Sequence, residues 1–255
     1  MKVFDQYANY YDLLYKDKNY GAEATYIDSL IKKFNPGAQS LFEFGSGTGK
    51  HAALLAQKGY SVFGIDMSEE MLAQAYKKIE HDKELSSKLS FACADLRTVR
   101  VDKKFDVISS FFHVISYQTT NQDLMDSFNT AAHHLKNDGI FIFDCWYGPA
   151  VLHDIPKIKI KRLEDEAISV VRISEPNLFY NENKVDVNFT LFVEDKKNKS
   201  ISKLYEKHSM RYLFKPEVEN FMANAGLTLI HCEEWLTGLP VSQLTWGSCF
   251  VGQKK

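Results

Sequence analysis

The chain has 255 residues, with 31 Lys+Arg against 33 Asp+Glu for a formal net charge of −2, and it is 45% apolar and 25% charged. That length suits one large core with an embellishment. Its 3 Trp, 13 Tyr and 18 Phe exclude intrinsic disorder, no apolar run approaches the roughly 18–20 residues of a membrane span, and a near-zero charge gives no electrostatic basis for binding nucleic acid.

The opening Met1-Lys2-Val3-Phe4-Asp5 has no apolar h-region and is not read as a signal peptide. Cys93, Cys145, Cys232 and Cys249 form no C-x-x-C pair, which argues against a disulfide framework or zinc knuckle and suits a reducing cytoplasm. His133-His134 lack a third ligand at metal spacing, so no metal is expected.

The first 35 residues read as helices over Asp5 to Tyr15 and Ala22 to Phe34, closed by Asn35-Pro36-Gly37. A strand, Leu41–Phe44, runs into Gly45-Ser46-Gly47-Thr48-Gly49; a helix, Lys50–Lys58, is stopped by Gly59; and a second strand, Ser61–Ile65, ends at Asp66. Ser68 is the expected N-cap of a helix whose core face carries Leu72, Ala75, Tyr76 and Ile79. Strands follow at Lys88–Ala92 and Phe105–Ser110, then a helix through Leu124, Phe128, Ala131 and Leu135 with Gly139 as terminator, then a fifth strand at Ile140–Asp144. Such alternation means βαβ crossovers: an α/β, doubly wound parallel sheet with helices on both faces.

After Pro149 the period changes to two, at Ile158/Ile160, Val185 to Val193 and Ile201 to Leu213, with hairpin loops at Asn181-Glu182-Asn183 and Asp195 to Lys199. This is an antiparallel β insert of three or four strands. Pro216 opens a helix closed by Gly226, and strands at Leu227–Trp235 and Gly247–Gly252 return to the main sheet. The expected layout is one domain over 1–255: a helical arm or lid (1–37), the glycine-loop core (38–150), the insert (151–214) and the return (215–255). The run Lys157 to Arg162 fits an amphipathic edge strand better than a phosphate or nucleic-acid patch.

In an open α/β sheet, ligands bind at the carboxyl ends of the strands. Those ends carry Glu43 and the glycine loop, Asp66, Asp95, the Ser110-Phe111-Phe112-His113 segment and Asp144. Gly45, Gly47 and Gly49 would let the backbone touch a flat ligand. Asp66, 21 residues after Gly45, could accept both ribose hydroxyls, and Asp95 could receive the amine of adenine while Leu96 or Met67 covers the ring. A dinucleotide loop would carry its third glycine where Lys50 stands, no P-loop is present, and Glu43 would repel a pyrophosphate while suiting a cation. The chemistry therefore favours S-adenosylmethionine (SAM), which has adenosine and positive charge without phosphate.

Phe42 to Gly49, Gly64-Ile65-Asp66-Met67-Ser68-Glu69-Glu70-Met71-Leu72 and Ala94-Asp95-Leu96 resemble successive motifs of class I SAM-dependent methyltransferases, with their Rossmann-like seven-stranded sheet. Tyr11-Asp12-Leu13-Leu14-Tyr15 with Tyr20, the insert, and Arg211 to Phe214 are similar to bacterial amino-sugar N-methyltransferases of surface-polysaccharide and secondary-metabolite pathways. The resemblance implies methylation of the amine of a nucleotide-linked sugar. It implies Tyr20 at the methionyl carboxylate, Tyr15 beside the reacting amine, and Gly45, Ser46 and Gly47 along the methionyl part. It also implies Asp66 at the ribose, Asp95 with Leu96 at the adenine, and backbone around Ser110 and Phe111 at the methionyl ammonium; Tyr11, Met71 and Ala94 complete the cofactor set. Those sugar enzymes end the segment after the fourth strand with a histidine; here the aligned position is Tyr117, with His113 four residues earlier.

A hydroxyl acceptor would need a base, for which His113 is best placed, and Trp146 or Tyr147 would wall the acceptor pocket. Methylation of a sugar hydroxyl or another small metabolite, and a non-catalytic SAM-binding protein, remain alternatives. A base methylase is disfavoured because Ser109-Ser110-Phe111-Phe112 replaces the Asn/Asp-Pro-Pro-aromatic motif. The expected partners are a small-molecule acceptor and, through the insert, a second copy in a homodimer; no nucleic acid and no membrane are expected.

Overall fold

The structure is a computed structural model that describes residues 13–255. Phe4, Tyr7, Tyr10 and Tyr11, and with them nearly all of the first expected helix, lie outside the described residues.

Five parallel strands make the centre: β1 (Ser40–Phe44), β2 (Ser61–Asp66), β3 (Leu89–Cys93), β4 (Phe105–Ser110) and β5 (Leu135–Tyr147). They lie in the order β3-β2-β1-β4-β5, and β10 (Leu227–Glu234) and β11 (Gly247–Lys254) complete the sheet, β11 running antiparallel beside β5. The central strands β1, β4 and β5 bury both faces, so their side chains split between two cores. On one side Phe42, Phe44, Phe141 and Phe143 meet α5 (Asn121–His134) and α7 (Lys215–Asn224) through Phe128 and Phe221. On the other, Leu41, Val107 and Ile142 meet α1 (Tyr20–Phe34), α2 (Lys50–Gln57) and α3 (Glu69–Ile79) through Ile27, Leu55 and Leu72. Seven phenylalanines and Tyr212 are among the largest fully buried side chains, each stabilising the fold by roughly 1.5–3 kcal/mol of transfer free energy.

Several boundaries differ from the sequence reading for local reasons. Asp82 caps an unexpected short helix, α4 (Lys83–Lys88), by accepting from Leu85 N at 2.9 Å. Gly139 does not terminate α5; the helix ends at His134, and Asp138 (φ 60°) sits in the irregular start of β5. Tyr76 is not a core residue: it is 47% exposed, with its hydroxyl donating to the Phe91 carbonyl at 2.6 Å. Ser68 caps α3 as expected, accepting from Met71 N at 3.1 Å.

The insert follows α6 (Gly148–His153) and is a four-stranded antiparallel sheet of β6 (Lys159–Glu164), β7 (Ile168–Phe179), β8 (Lys184–Asp195) and β9 (Ser200–Leu213). β5 outruns β4, and on its last two residues β9 takes over the vacated edge, pairing Trp146 with Tyr212 and Tyr147 with Leu213. The insert is thereby continuous with the main sheet. One face of it, carrying Val187, Phe189, Glu206, His208 and Met210, shares a register. β6 is an edge strand, as the lysine alternation implied, and Lys161 donates to the Leu14 carbonyl at 2.6 Å.

Gly49 has a packing role. It caps α2 at φ 73°, and a Cβ there would come within 2.8 Å of the Phe91 ring. Gly49→Ala is expected to lower stability by about 1–3 kcal/mol through left-handed strain and overpacking; a urea midpoint equal to wild type would refute this.

Candidate functional site

The carboxyl ends of β1 to β5 and the inward face of the insert enclose one cavity of about 530 Å³. Among the sequence-predicted residues, Tyr15, Tyr20, Gly45, Ser46, Gly47, Asp66, Met67, Met71, Ala94, Asp95, Leu96, Phe111, His113 and Tyr117 line it.

At one end β1 turns sharply. Gly45 sits at φ 71°, and a Cβ there would strike Val114 at 2.5 Å, so only glycine fits. At Gly47 (φ 52°) a Cβ would meet nothing within 4 Å, which leaves open space against the backbone. The loop is tied to the tip of β2: Asp66 Oδ2 accepts from Gly47 N at 2.8 Å and Oδ1 from Ser68 N at 2.9 Å. Burial raises the Asp66 pKa against those backbone bonds. Each carboxylate oxygen retains a second lone pair, which a pair of ligand hydroxyls could use.

Glu43 lies beneath the loop and does not line the cavity. It is 2% exposed, its Oε2 has no hydrogen-bond partner, and burial, reinforced by the charge of Asp66, pushes its pKa up to about 8 against a hydrogen bond from Ser46. A cation bound above the loop would favour the ionised form of this acid and a phosphate its protonated form, so Glu43 answers a positively charged ligand by giving up its proton. Open space at Gly47, the hydroxyl-accepting Asp66 and the orphaned Glu43 oxygen together fit a cationic adenosine derivative.

Besides Glu43, two predicted cofactor residues do not line the cavity. Gly49 packs on Phe91, and Ser110 is fully buried with its hydroxyl donating to the Phe44 carbonyl at 3.3 Å. Tyr11 is outside the described residues. Asp95 reaches the cavity with its carboxylate already engaged: Arg97 holds it through Nε at 3.0 Å and Nη2 at 2.6 Å and reaches on to Asp123 at 2.6 Å. Hydrogen bonds from Arg97 hold the Asp95 pKa below the usual range.

At the cavity's methionyl side as read from sequence, Tyr20 stands under two ammonium groups, Lys18 at 4.5 Å and Lys50 at 4.8 Å from its ring centroid. Glu23 contacts Lys18 and accepts from His51 at 2.6 Å, and these bonds outweigh burial to hold its pKa at about 2.

The other end is aromatic. Tyr15 meets Phe112 edge-on at 4.9 Å. Phe112 and His113 both have φ 63°, a strained pair of non-glycine residues. Asp144, 1% exposed, anchors them: its Oδ1 accepts from His113 N at 3.0 Å, and its Oδ2 lies 2.8 Å from His113 Nδ1. That ring contact is too poorly aligned for a hydrogen bond. Trp146 lines the cavity, whereas Tyr147 does not. The sequence reading missed Arg97, Gln118 and the insert's Val187, Phe189, His208 and Met210, which also line it.

No helix among the described residues is long and apolar enough to cross a membrane, and none of their His, Cys, Asp and Glu side chains group as a metal site.

Comparison with known proteins gives consistent results. Residues 41–139 match the family model described as a methyltransferase domain. The dTDP-3-amino-3,4,6-trideoxy-alpha-D-glucopyranose N,N-dimethyltransferase of Streptomyces venezuelae is 28% identical over 92% of this chain and 93% of its own. The crystal structure of Streptomyces venezuelae DesVI superposes with a TM-score of 0.80 at 25% identity over 100% of both chains. A S-adenosylmethionine-dependent methyltransferase from Clostridium acetobutylicum shares the fold at a TM-score of 0.81 and 21% identity, over 96% of each chain. Residues 41–139 thus carry a methyltransferase domain, and with its seven-stranded sheet and antiparallel last strand the chain is similar in sequence and fold to SAM-dependent methyltransferases.

Proposed function

We propose that this methyltransferase acts on the amine of a nucleotide-linked sugar. The observation that carries the reading is the aromatic end of the cavity, lined by Tyr15, Trp146, Tyr117 and the insert, in a chain that matches amino-sugar N,N-dimethyltransferases over about nine-tenths of its length (92% and 91%).

Within this reading Asp66 takes the ribose hydroxyls, Gly45 to Gly47 lie along the methionyl chain, and Tyr20 takes its carboxylate with Lys50 adjacent. Met67, Met71 and Leu96 cover the adenine; Asp95 reaches the adenine amine only if Arg97 yields one of its bonds. Phe111, rather than Ser110, carries the backbone contact to the methionyl ammonium. When bound, SAM supplies a methyl group activated by positive sulfur. The protein's part is to orient the acceptor and exclude water, worth up to roughly 7–11 kcal/mol. An apolar, aromatic chamber also favours the neutral amine, the only form that can attack.

The expected place of action is the cytoplasm, where the four thiols, unpaired in the structure, stay reduced. Ile160, Ile201 and Tyr205 are exposed on the insert and suit the expected homodimer.

A second reading has its own observation. His113, held against Asp144, could serve as base for a hydroxyl acceptor. A SAM-consumption assay across amino- and hydroxy-sugar nucleotides decides: turnover of the amines is expected, and turnover confined to hydroxy-sugars would overturn the amine reading. Tyr15→Phe is expected to lower kcat by about tenfold while SAM affinity changes less than threefold. Unchanged kcat would reduce Tyr15 to packing.

A further inference from the structure

At the aromatic end of the cavity two lining side chains and a third behind them form a continuous hydrogen-bonded line. Tyr117 ends a 3-10 turn, Val114–Tyr117, after β4, and its hydroxyl lies 2.7 Å from Nδ1 of His208 on β9. On the opposite side of that imidazole, Nε2 lies 2.9 Å from Oε2 of Glu206, two residues back on the same face of β9. The His208 and Glu206 side chains are 5% and 7% exposed, so neither is a solvated surface pair. Phe189 packs edge-on against the His208 ring at 4.8 Å and fixes its plane. Tyr117 and His208 both line the cavity; Glu206 stands behind them.

The polarity of this line follows from its two ends. Burial, then the nearby Tyr15, Glu206 and Asp66, holds the Tyr117 phenol well above its ordinary pKa, so it keeps its proton and has one to donate. Glu206, a carboxylate, only accepts. An imidazole carrying its hydrogen on Nε2 satisfies both neighbours: Nε2–H donates to Glu206, and bare Nδ1 accepts from Tyr117. The same order of hydroxyl, imidazole and carboxylate serves proton abstraction wherever a hydroxyl must be linked to a base.

We propose that Tyr117, His208 and Glu206 form a proton relay that strips the acceptor ammonium before methylation. This deepens the amino-sugar reading and rests on it. The substrate N–H bond breaks and its proton goes to the Tyr117 oxygen, while the Tyr117 O–H bond breaks and that proton goes to His208 Nδ1. The electron pair stays on the substrate nitrogen, free to attack. The imidazolium is held by Glu206 and returns its proton to water after the product leaves. Tyr117 is the catalytic residue of the three; His208 is the proton acceptor, and Glu206 is a positioning residue. Among the described residues, Arg172 stacks 4.7 Å above the Phe189 ring, and Lys207 pairs with Asp186 at 2.7 Å. The insert thereby supplies the base for chemistry whose electrophile is held by the main sheet.

Two measurements test this. In the first, kcat of Tyr117→Phe and Glu206→Gln is followed from pH 7 to pH 9.5 with dTDP-3-amino-3,6-dideoxyglucose as acceptor, beside SAM affinity and Tm. At pH 7 the losses are expected to be about a hundredfold and about tenfold, shrinking below about fivefold at pH 9.5, where the amine deprotonates unaided. SAM affinity is expected to stay within threefold. A loss that is the same at every pH, or no loss, overturns the relay.

The second needs no turnover. In the protein saturated with S-adenosylhomocysteine, 15N NMR of His208, assigned with His208→Asn, is expected to show the Nε2–H tautomer. A proton on Nδ1 overturns the proposal. If wild type methylates no amino-sugar nucleotide, the substrate reading fails by itself, and the tautomer still decides the relay.

Discussion

Asp66→Ala will weaken SAM binding by at least about a hundredfold while the protein remains folded. The carboxylate stands at the tip of β2, lines the cavity and holds the glycine loop through Gly47 N at 2.8 Å. In the proposed mode of binding its removal deletes the acceptors for two ribose hydroxyls, each a charge-assisted bond worth roughly 1.5–3 kcal/mol, and it frees the loop from β2. The sheet does not depend on it, because β2 is held by register pairs to β1 and β3 along its length. Burial raises the Asp66 pKa, so the native state loses little by giving up this charge. Calorimetric titration measures the effect; an affinity within threefold of wild type would remove Asp66 from the cofactor site.

Glu43→Gln will flatten the pH dependence of stability on the alkaline side. In the folded chain burial raises the Glu43 pKa from 4.5 to about 8. Between those values the unfolded state has released the proton while the native state still binds it. Stability from this group is therefore complete below about pH 4.5 and falls as pH rises through 8, by up to roughly 5 kcal/mol. Gln is isosteric, permanently neutral and free of this cost. Wild-type Tm is expected to fall between pH 5 and pH 8.5 more steeply than that of the variant, and parallel curves would show that Glu43 is ionised in the native state.

Much of this was legible because single residues carried it. Ser68 and the Asp66 tip follow from short local rules, the cap and the strand-end acid, and both stand where those rules put them. The third glycine of the loop was not separable by sequence: Gly49 looks like Gly45 and Gly47, and only the Phe91 ring behind it reveals a packing role. Asp95 was read as a free acid because nothing in Ala94-Asp95-Leu96 announces that Arg97 will fold back onto it. The α4 helix escaped because Leu85 is its one buried residue, too little for a periodic stripe.

His208 and Glu206 were the hardest to see. The period-two pattern of β9 marked a half-buried strand, but which face it turned to the cavity depended on β9 capturing the end of β5, a pairing of only two residues. Their partner Tyr117 lies 91 positions away in sequence, so no local motif could join them.

The most direct test of the central claim is a crystal structure of the protein with S-adenosylhomocysteine. The expected result places the ribose on Asp66, the amino-acid chain along Gly45 to Gly47 and the thioether sulfur facing the chamber of Tyr15, Tyr117 and His208. Density for the ligand outside the strand tips, or a sulfur turned away from that chamber, would contradict it.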